Sequence, residues 1–185
     1  MKKILITGAT GFIGSALIDH LIKEEAHITI IGRNPKKLEE INNKHKNIEH
    51  KLADLSVVSE IDFMFSEIYN EIYHLAGYKY VNESEKNVLE SINSNLVGTI
   101  NLLLTQKEKN NQVIIKLVSS DKTSQVKGVY SATKFLNDKL VSEFKKHIPN
   151  IYNLKLSNVF QSPGSIGDIW KNLIIKNESI GVSDL

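Results

Sequence analysis

The chain has 185 residues, enough for one domain with a sizeable core, and its 41% hydrophobic and 24% charged residues are ordinary for a globular protein. It contains no cysteine, which excludes a disulfide framework and a thiolate zinc site; its six histidines lack the spacing of metal ligands, so we predict no metal. The net charge of +2 is too small to indicate nucleic acid, and no apolar run suits a membrane partner, so we expect a cytoplasmic protein.

Short apolar runs rich in β-branched residues alternate with longer segments of helical periodicity. The predicted strands are Lys3–Thr7, His27–Ile31, Ile48–Leu52, Glu71–Leu75, Gln112–Val118 and Ile151–Ser157. Helices are predicted from about Phe12, from Asn34-Pro35 and from Tyr130 to about His147, and another ends near Asn110. This alternation predicts an α/β fold, namely a Rossmann-like, doubly wound parallel sheet with helices on both faces.

A glycine-rich segment from Thr7 to Gly14 joins the first predicted strand to the first predicted helix. Gly8 permits a tight turn, Gly11 lets the backbone approach a pyrophosphate at the helix N-terminus, and Gly14 lets the helix pack closely on the strand. Such glycine spacing is weak by itself, but its place between a strand and a helix supports a dinucleotide site. The residues predicted to contact the cofactor here are Gly8, Thr10, Gly11, Phe12, Ile13 and Gly14.

The end of the second predicted strand indicates which dinucleotide binds. A domain that binds NAD usually places an acid there for the ribose hydroxyls, whereas this chain reads Gly32-Arg33-Asn34. The planar guanidinium of Arg33 suits a phosphate, so we predict NADP in preference to NAD. The alternative is that Arg33 is a solvated surface residue.

Several segments resemble the extended short-chain dehydrogenases/reductases. The glycine pattern that ends in Gly11-Phe12-Ile13-Gly14 carries the resemblance first. The segment Ala53-Asp54-Leu55 is similar to the family's adenine-contacting segment, and His74-Leu75-Ala76-Gly77 to the motif that passes behind the cofactor. The run from Asn95 to Thr99 is similar to the helix segment that helps to shape the active site. The resemblance implies cofactor contacts from Asp54, Leu55, Ala76 and Gly77.

Within that superfamily, the chain resembles the inverting UDP-N-acetylglucosamine 4,6-dehydratases of bacterial polysaccharide biosynthesis. The segments that carry this likeness are Ser119-Ser120-Asp121-Lys122 and Tyr130-Ser131-Ala132-Thr133-Lys134. Departures from the pattern are Gln125-Val126 in place of Asn-Pro, and Asn82 in place of a proline. The resemblance implies substrate contacts from Lys79, Asn95 and Asn158, and a cofactor contact from Lys79 as well.

Members of the resembling family continue past the position of Val182. We therefore expect residues 1–185 to form a single NAD(P)-binding Rossmann domain with the start of a C-terminal substrate-binding subdomain. Such a chain is expected to bind NADP without efficient turnover of a nucleotide sugar, because one wall of the substrate site would follow later. We also expect a homo-oligomer.

The spacing of Tyr130 and Lys134 suggests the chemistry. Four residues apart on a helix, they share a face, and a nearby ammonium together with a positive nicotinamide would favour the tyrosine phenolate as a base. Tyr130 and Lys134 are also predicted to contact the cofactor, with Lys134 at the nicotinamide ribose. Ser120 would orient a substrate hydroxyl. In the resembling family, a pair such as Asp121 and Lys122 acts as acid and base for loss of water across sugar carbons 5 and 6; a capped turn with a solvated lysine is the alternative.

The favoured function is therefore an NADP-dependent nucleotide-sugar 4,6-dehydratase, or its N-terminal portion, with Ser120, Asp121, Lys122, Tyr130 and Lys134 as the catalytic candidates. A nucleotide-sugar epimerase or reductase on the same scaffold is the first alternative, because a fold does not fix a reaction. A non-catalytic NADP-binding module is an alternative of another class.

Overall fold

The computed structural model describes residues 1–45, 48–110 and 112–181. Within these ranges, six strands form one sheet in the order β3-β2-β1-β4-β5-β6, and every neighbouring pair is parallel. The strands are β1 (Lys2–Thr7), β2 (Ala26–Gly32), β3 (Ile48–Leu52), β4 (Glu71–His74), β5 (Ile114–Ser120) and β6 (Ile151–Leu156). The predicted Rossmann-like fold is confirmed.

The helices alternate with the strands along the chain. They are α1 (Phe12–Leu21), α2 (Pro35–Lys44), α3 (Ile61–Met64), α4 (Val81–Ser84), α5 (Val88–Ile92), α6 (Gly98–Lys109), α7 (Gly128–Phe144) and α8 (Ile166–Ile175). A π-helical turn at Asn93–Val97 joins α5 to α6. None of the helices in the described residues is long and apolar enough to cross a bilayer.

Two separate apolar clusters show that helices cover both faces of the sheet. Side chains along a strand point alternately to opposite faces, so Leu5 belongs to one cluster while Ile4 and Ile6 belong to the other. The first cluster also takes in buried residues of α6 and α7, and the second takes in residues of α1 and α2. The sheet is therefore buried on both sides, as continuous apolar strands require.

Local signals explain where the helices begin and end. The side chain of Asn34 accepts a hydrogen bond from the backbone N of Lys37 at 3.1 Å, and Pro35 occupies the first position of α2. Helix α7 ends at Phe144, three residues before the predicted end. A turn follows at residues 145–147 and leads to Pro149, which disfavours helical backbone at the residue before it.

The strand order determines where a crevice opens at the edge of the sheet. The chain adds β2 and β3 on one side of β1, and then returns to its other side to add β4. The loops after β1 and β4 therefore leave the sheet in opposite directions and open a crevice at its carboxyl edge.

Candidate active site

A cleft of about 1010 Å³ lies at this carboxyl edge. It is lined by the loop between β1 and α1, by the ends of β2 to β5 and by the first turns of α7. The sequence-predicted cofactor residues that line it are Gly8, Thr10, Gly11, Phe12, Ile13, Gly14, Arg33, Asp54, Leu55, Ala76, Gly77, Lys79, Tyr130 and Lys134. The remaining predicted residues that line it are Ser120, Asp121, Lys122 and Asn158.

The glycine-rich loop owes its shape to close backbone packing. Gly8 has a positive φ of 71°, and a Cβ built there would lie 2.5 Å from the backbone N of Ala76. A Cβ on Gly14 would lie 2.3 Å from the Gly8 carbonyl oxygen, so α1 can rest on the loop only without that side chain. The first turn of α1 carries no acidic residue. Its free N–H groups therefore suit an anion such as a pyrophosphate.

Arg33, at the end of β2, faces two carboxylates. Its Nη1 donates to Oε1 of Glu90 at 2.7 Å and to Oδ2 of Asp54 at 3.4 Å. Burial raises the pKa of Asp54, but hydrogen bonds from Ser56 and the charge of Arg33 outweigh it and leave that pKa below its usual value. Asp54 is thus held ionised beside the guanidinium.

Ser120 ends β5 and organises the turn that follows. Its Oγ donates to Oδ1 of Asp121 at 3.2 Å and accepts from the backbone N of Lys122 at 3.3 Å. The Oγ1 of Thr123 donates to the Ser120 carbonyl oxygen at 2.9 Å, which closes the turn. The exposed side chains of Asp121 and Lys122 consequently reach the cleft from the same short turn.

Tyr130 lies in the first turn of α7, and its side chain is hydrogen-bonded with Ser120. Burial raises the pKa of Tyr130; a hydrogen bond with Ser120 works against this shift, and the charge of Asp121 adds to it. From the sequence we expect the ammonium of Lys134, together with a positive nicotinamide, to favour the phenolate, whereas the groups of the protein itself raise this pKa.

Lys134 is only 7% exposed although it carries an ammonium group. Its Nζ donates to the Val118 carbonyl oxygen at 3.1 Å, and a Cβ on Gly77 would lie 3.2 Å from the same nitrogen. Burial lowers the pKa of Lys134 to about 8, and the charge of Asp138 works against the shift. Among the described residues, one of the three N–H donors has a hydrogen-bond partner, which leaves the others for a polar group in the cleft.

Asp138 lies one turn further along the same face of α7 and joins three segments. It accepts hydrogen bonds from Ser119 Oγ at 2.6 Å and from the side-chain amide of Asn153, and pairs with Lys155 at 3.1 Å. Lys155 also donates to Oγ1 of Thr123 at 3.1 Å. The carboxylate therefore ties the end of β5, the strand β6 and the turn after Ser120 to α7.

We expect Asp138→Asn to lower the free energy of unfolding by about 1–3 kcal/mol, because hydrogen bonds to a charged group are replaced by weaker ones. Chemical denaturation followed by circular dichroism measures this. The control is Glu143→Gln on the same helix, whose exposed carboxylate pairs with Lys146 at 2.9 Å and should contribute little. Equal losses in the two variants would contradict the role given to Asp138.

Asn95, expected to contact substrate, lies behind the cleft and is 1% exposed. Its Oδ1 accepts from the backbone N of Tyr78 at 2.7 Å, and its Nδ2 donates to the Tyr78 carbonyl oxygen and to Oγ1 of Thr133. Because both ends of the amide are bonded inside the protein, its contacts favour a role in fixing the loop after β4 against α7.

His74 ends β4 and is fully enclosed. Its Nδ1 lies 2.8 Å from Oγ1 of Thr7, and its Nε2 lies 2.9 Å from Oγ1 of Thr99. The Thr7 oxygen accepts from the backbone N of Ala76, and the Thr99 hydroxyl donates to the Asn95 carbonyl oxygen. The network thus assigns the proton of a neutral ring to Nε2. Burial, with the charge of Lys134, lowers the pKa of His74 to about 3.

The family model described as polysaccharide biosynthesis protein matches residues 4–185 of the chain. The chain belongs to this polysaccharide biosynthesis family. It is 27% identical over 184 residues to the capsular polysaccharide biosynthesis protein CapD of Staphylococcus aureus. This alignment covers 94% of the chain and 31% of CapD. It is 33% identical over 111 residues to a UDP-glucose 4-epimerase of Pisum sativum, which covers 55% of the chain and 32% of that epimerase. The chain thus spans about a third of the length of these curated relatives.

A solved structure with a similar fold is the Bordetella bronchiseptica enzyme WbmF in complex with NAD+ and UDP. The TM-score is 0.74 at 15% sequence identity, and the match covers 86% of the chain and 50% of WbmF. At this identity the likeness shows the fold alone.

The sequence does not predict two of the contacts in this site. Glu90 falls at a position that the resembling family repeats, but it reaches Arg33 from a helix 57 positions further along the chain, and Asp138 is one of two acids on α7. Lys79, by contrast, is predicted from the sequence to contact both substrate and cofactor. Its Nζ donates to the Pro163 carbonyl oxygen at 3.0 Å.

One group of potential metal ligands occurs in the described residues, and it lies outside the cleft. It consists of His27, Glu49 and Glu67. Lys3 already pairs with Glu67, and Lys51 lies 4.0 Å from Glu49. The cations of the protein itself therefore already balance these carboxylates.

Proposed function

We propose that this chain is the cofactor-binding part of a nucleotide-sugar 4,6-dehydratase of the UDP-N-acetylglucosamine type, which serves polysaccharide or surface-glycan biosynthesis. The observation that carries the proposal is that the predicted catalytic residues line the same cleft as the glycine-rich loop. Those residues are Ser120, Asp121, Lys122, Tyr130 and Lys134. Membership of the polysaccharide biosynthesis family supports it.

The cleft fits a nicotinamide dinucleotide. Its glycine-rich loop offers free N–H groups to a pyrophosphate, and the buried Lys134 ammonium keeps donors available for a ribose hydroxyl. A Cβ on Gly8 or Gly77 would lie under 3.0 Å from other atoms of the protein, so these glycines allow the segments that line the cleft to approach each other closely. Such a cofactor would supply a reversible acceptor for a hydride of the sugar.

The chain's own groups then hold the substrate and move its protons. Ser120 Oγ positions the sugar hydroxyl, and Tyr130 Oη takes its proton as the carbon is oxidised. The resulting keto group acidifies the neighbouring carbon, so Asp121 and Lys122 between them remove a proton there and protonate the departing hydroxyl. Water leaves, and the hydride would then return at carbon 6 while carbon 5 takes back a proton. The two protons removed, from the hydroxyl by Tyr130 and from carbon 5, thus match the two that are put back, on the departing hydroxyl and on carbon 5.

A nucleotide-sugar epimerase is the second candidate, supported by the alignment with the pea UDP-glucose 4-epimerase. It would use Tyr130 and Lys134 but no acid and base for loss of water. Incubating an active form that carries this chain with UDP-N-acetylglucosamine, and analysing the product by NMR, separates the two. A dehydrated 4-keto sugar supports the dehydratase, whereas an inverted sugar that keeps all its hydroxyls contradicts it.

We also propose that residues 1–185 form one NAD(P)-binding domain together with the start of a substrate-binding subdomain. Residues of α8 support this extension, because that helix has no buried residue and exposes Ile166, Ile169, Ile174 and Ile175. Such apolar surface is suited to a substrate-binding wall or to a protein contact. Dinucleotide binding without efficient sugar turnover is therefore expected of the chain alone.

The proposed cofactor is NADP, through Arg33. A charge-assisted hydrogen bond contributes about 1.5–3 kcal/mol, which corresponds to a roughly 10- to 150-fold preference over NAD. Arg33→Ala should remove most of that preference while leaving the NAD affinity nearly unchanged. Calorimetric titration of both variants with both dinucleotides measures it, with Lys23→Ala, exposed beyond the end of α1, as a charge-matched control. Equal affinities for NAD and NADP in the unaltered protein would contradict the proposal.

A further inference from the structure

The second strand ends without an acid, but the fold brings one to the same place from another element. Glu90, in α5, lies with its Oε1 2.7 Å from Nη1 of Arg33. Ser94, which lines the cleft, donates to the same oxygen at 3.2 Å. A carboxylate therefore lies beside Arg33 at the end of β2, the strand end at which NAD-binding domains usually place an acid for the ribose hydroxyls.

Arg33 and Glu90 have opposite preferences for what the ribose carries at its 2′ position. A guanidinium attracts a 2′-phosphate, whereas an ionised carboxylate accepts a hydrogen bond from a 2′-hydroxyl and repels a phosphate. Both contacts of Arg33 with carboxylates use Nη1, so Nε and Nη2 remain for a ligand. The two residues can thus act on the same ligand group at once.

We propose that Glu90 is a specificity-determining residue for the adenosine 2′ position of the cofactor. It favours a 2′-hydroxyl and limits the preference for a 2′-phosphate that Arg33 creates. The inference rests on the proposed function, because it requires that a nicotinamide dinucleotide binds in the cleft.

The competing role for Glu90 is to hold Arg33 in place for the phosphate. The strength of the Arg33–Glu90 ion pair, compared with that of the repulsion between Glu90 and a phosphate, decides between these roles. The Arg33 side chain is 53% exposed and that of Glu90 is 41% exposed, and ion pairs between such groups shift equilibria by about fivefold at most. A phosphate monoester carries a charge of about −1.5 to −2 at neutral pH, so a carboxylate beside it opposes binding more strongly. Removing the charge of Glu90 should therefore strengthen NADP binding, whereas loss of a positioning contact would weaken it.

The test compares the affinities for NADP and NAD in the unaltered chain and in Glu90→Gln by calorimetric titration. We expect the ratio of NADP to NAD affinity to rise roughly tenfold, which corresponds to about 1.4 kcal/mol. Glu90→Asp, which keeps the charge, should leave the ratio within about threefold of the unaltered value. Glu108→Gln removes an equal charge from the last turn of α6, which lies at the opposite edge of the sheet, and should change neither affinity.

A second pair of variants asks whether Glu90 acts by itself or only through Arg33. If the charge of Glu90 acts on the ligand, Glu90→Gln raises the ratio in an Arg33→Ala background as well. An unchanged or lower ratio in either background overturns the inference, while binding of both dinucleotides leaves the proposed function standing. Failure of the unaltered chain to bind either dinucleotide overturns both. Unfolding midpoints without ligand, measured on each variant, confirm that the compared proteins are folded.

Discussion

Replacing Tyr130 by phenylalanine is expected to lower turnover of the nucleotide sugar by about 10²–10⁴-fold, the usual contribution of a positioned acid or base. The ring of Tyr130 is largely buried against Ser120, so the variant keeps the shape of the wall and loses only the hydroxyl. Dinucleotide affinity should change little, because the phosphate loop and Lys134 are untouched. Turnover is measured in an active form that carries this chain, and dinucleotide binding by calorimetry.

Lys134→Ala is the matched comparison, and it should weaken both properties. It removes a buried ammonium whose remaining N–H donors suit a ribose, and it also removes the contact with the Val118 carbonyl oxygen. Ser142→Ala, on an exposed turn of the same helix, should leave both unchanged. Near-normal turnover in Tyr130→Phe would show that another group takes the proton.

The free energy of unfolding is expected to fall by about 2 kcal/mol between pH 7 and pH 5 because of His74 alone. The pKa of this ring is lowered from 6.5 to about 3 in the folded protein, so the native state keeps it neutral while the unfolded chain gains a proton. The stabilisation is therefore complete above pH 6.5 and is lost as the pH falls towards the folded pKa. Protonation would also require the bond with Thr7 to reverse its direction.

Denaturant titrations at pH 7, 6 and 5 measure this slope. His74→Gln should be less stable at pH 7 but should lose much of the pH dependence over this interval. His20→Gln, at an exposed position of α1, is the control and should keep the slope of the unaltered protein. A slope that is the same in His74→Gln and in the unaltered protein would contradict the burial of a neutral ring.

The sequence predicted well those elements of the fold that depend on residues close together in the chain. Each strand carries its own apolar run, so the predicted strands match the observed ones to within about two residues at each end. The cap at Asn34 and the turn at Gly8 depend on residues that lie next to each other in the chain. The residues of the predicted dinucleotide site line one cleft because parallel strands bring their carboxyl ends to one edge of the sheet.

Contacts between distant parts of the chain explain what the sequence did not predict. The sequence at the end of the second strand contains no acid, yet the fold places Glu90 of α5 against Arg33 at that strand end. Asn95 matched a family position, but only the packing of Tyr78 and Thr133 around it reveals that its amide is already bonded. The pKa of Tyr130 depends on burial, which spacing along a helix does not determine.

The close packing of the glycines in the loop after β1 has a consequence for the affinity of this loop for a ligand. Gly8 packs against the backbone of Leu75 and Ala76, and Gly14 packs against Gly8. The backbone N of Gly11 also donates to the Gly8 carbonyl oxygen at 3.0 Å, so both packing and a hydrogen bond fix the loop. A loop that is already in its bound shape gives up little conformational entropy when a ligand arrives. The proposed pyrophosphate would therefore bind to a loop that is already ordered, and little of its binding free energy would be lost to ordering the chain.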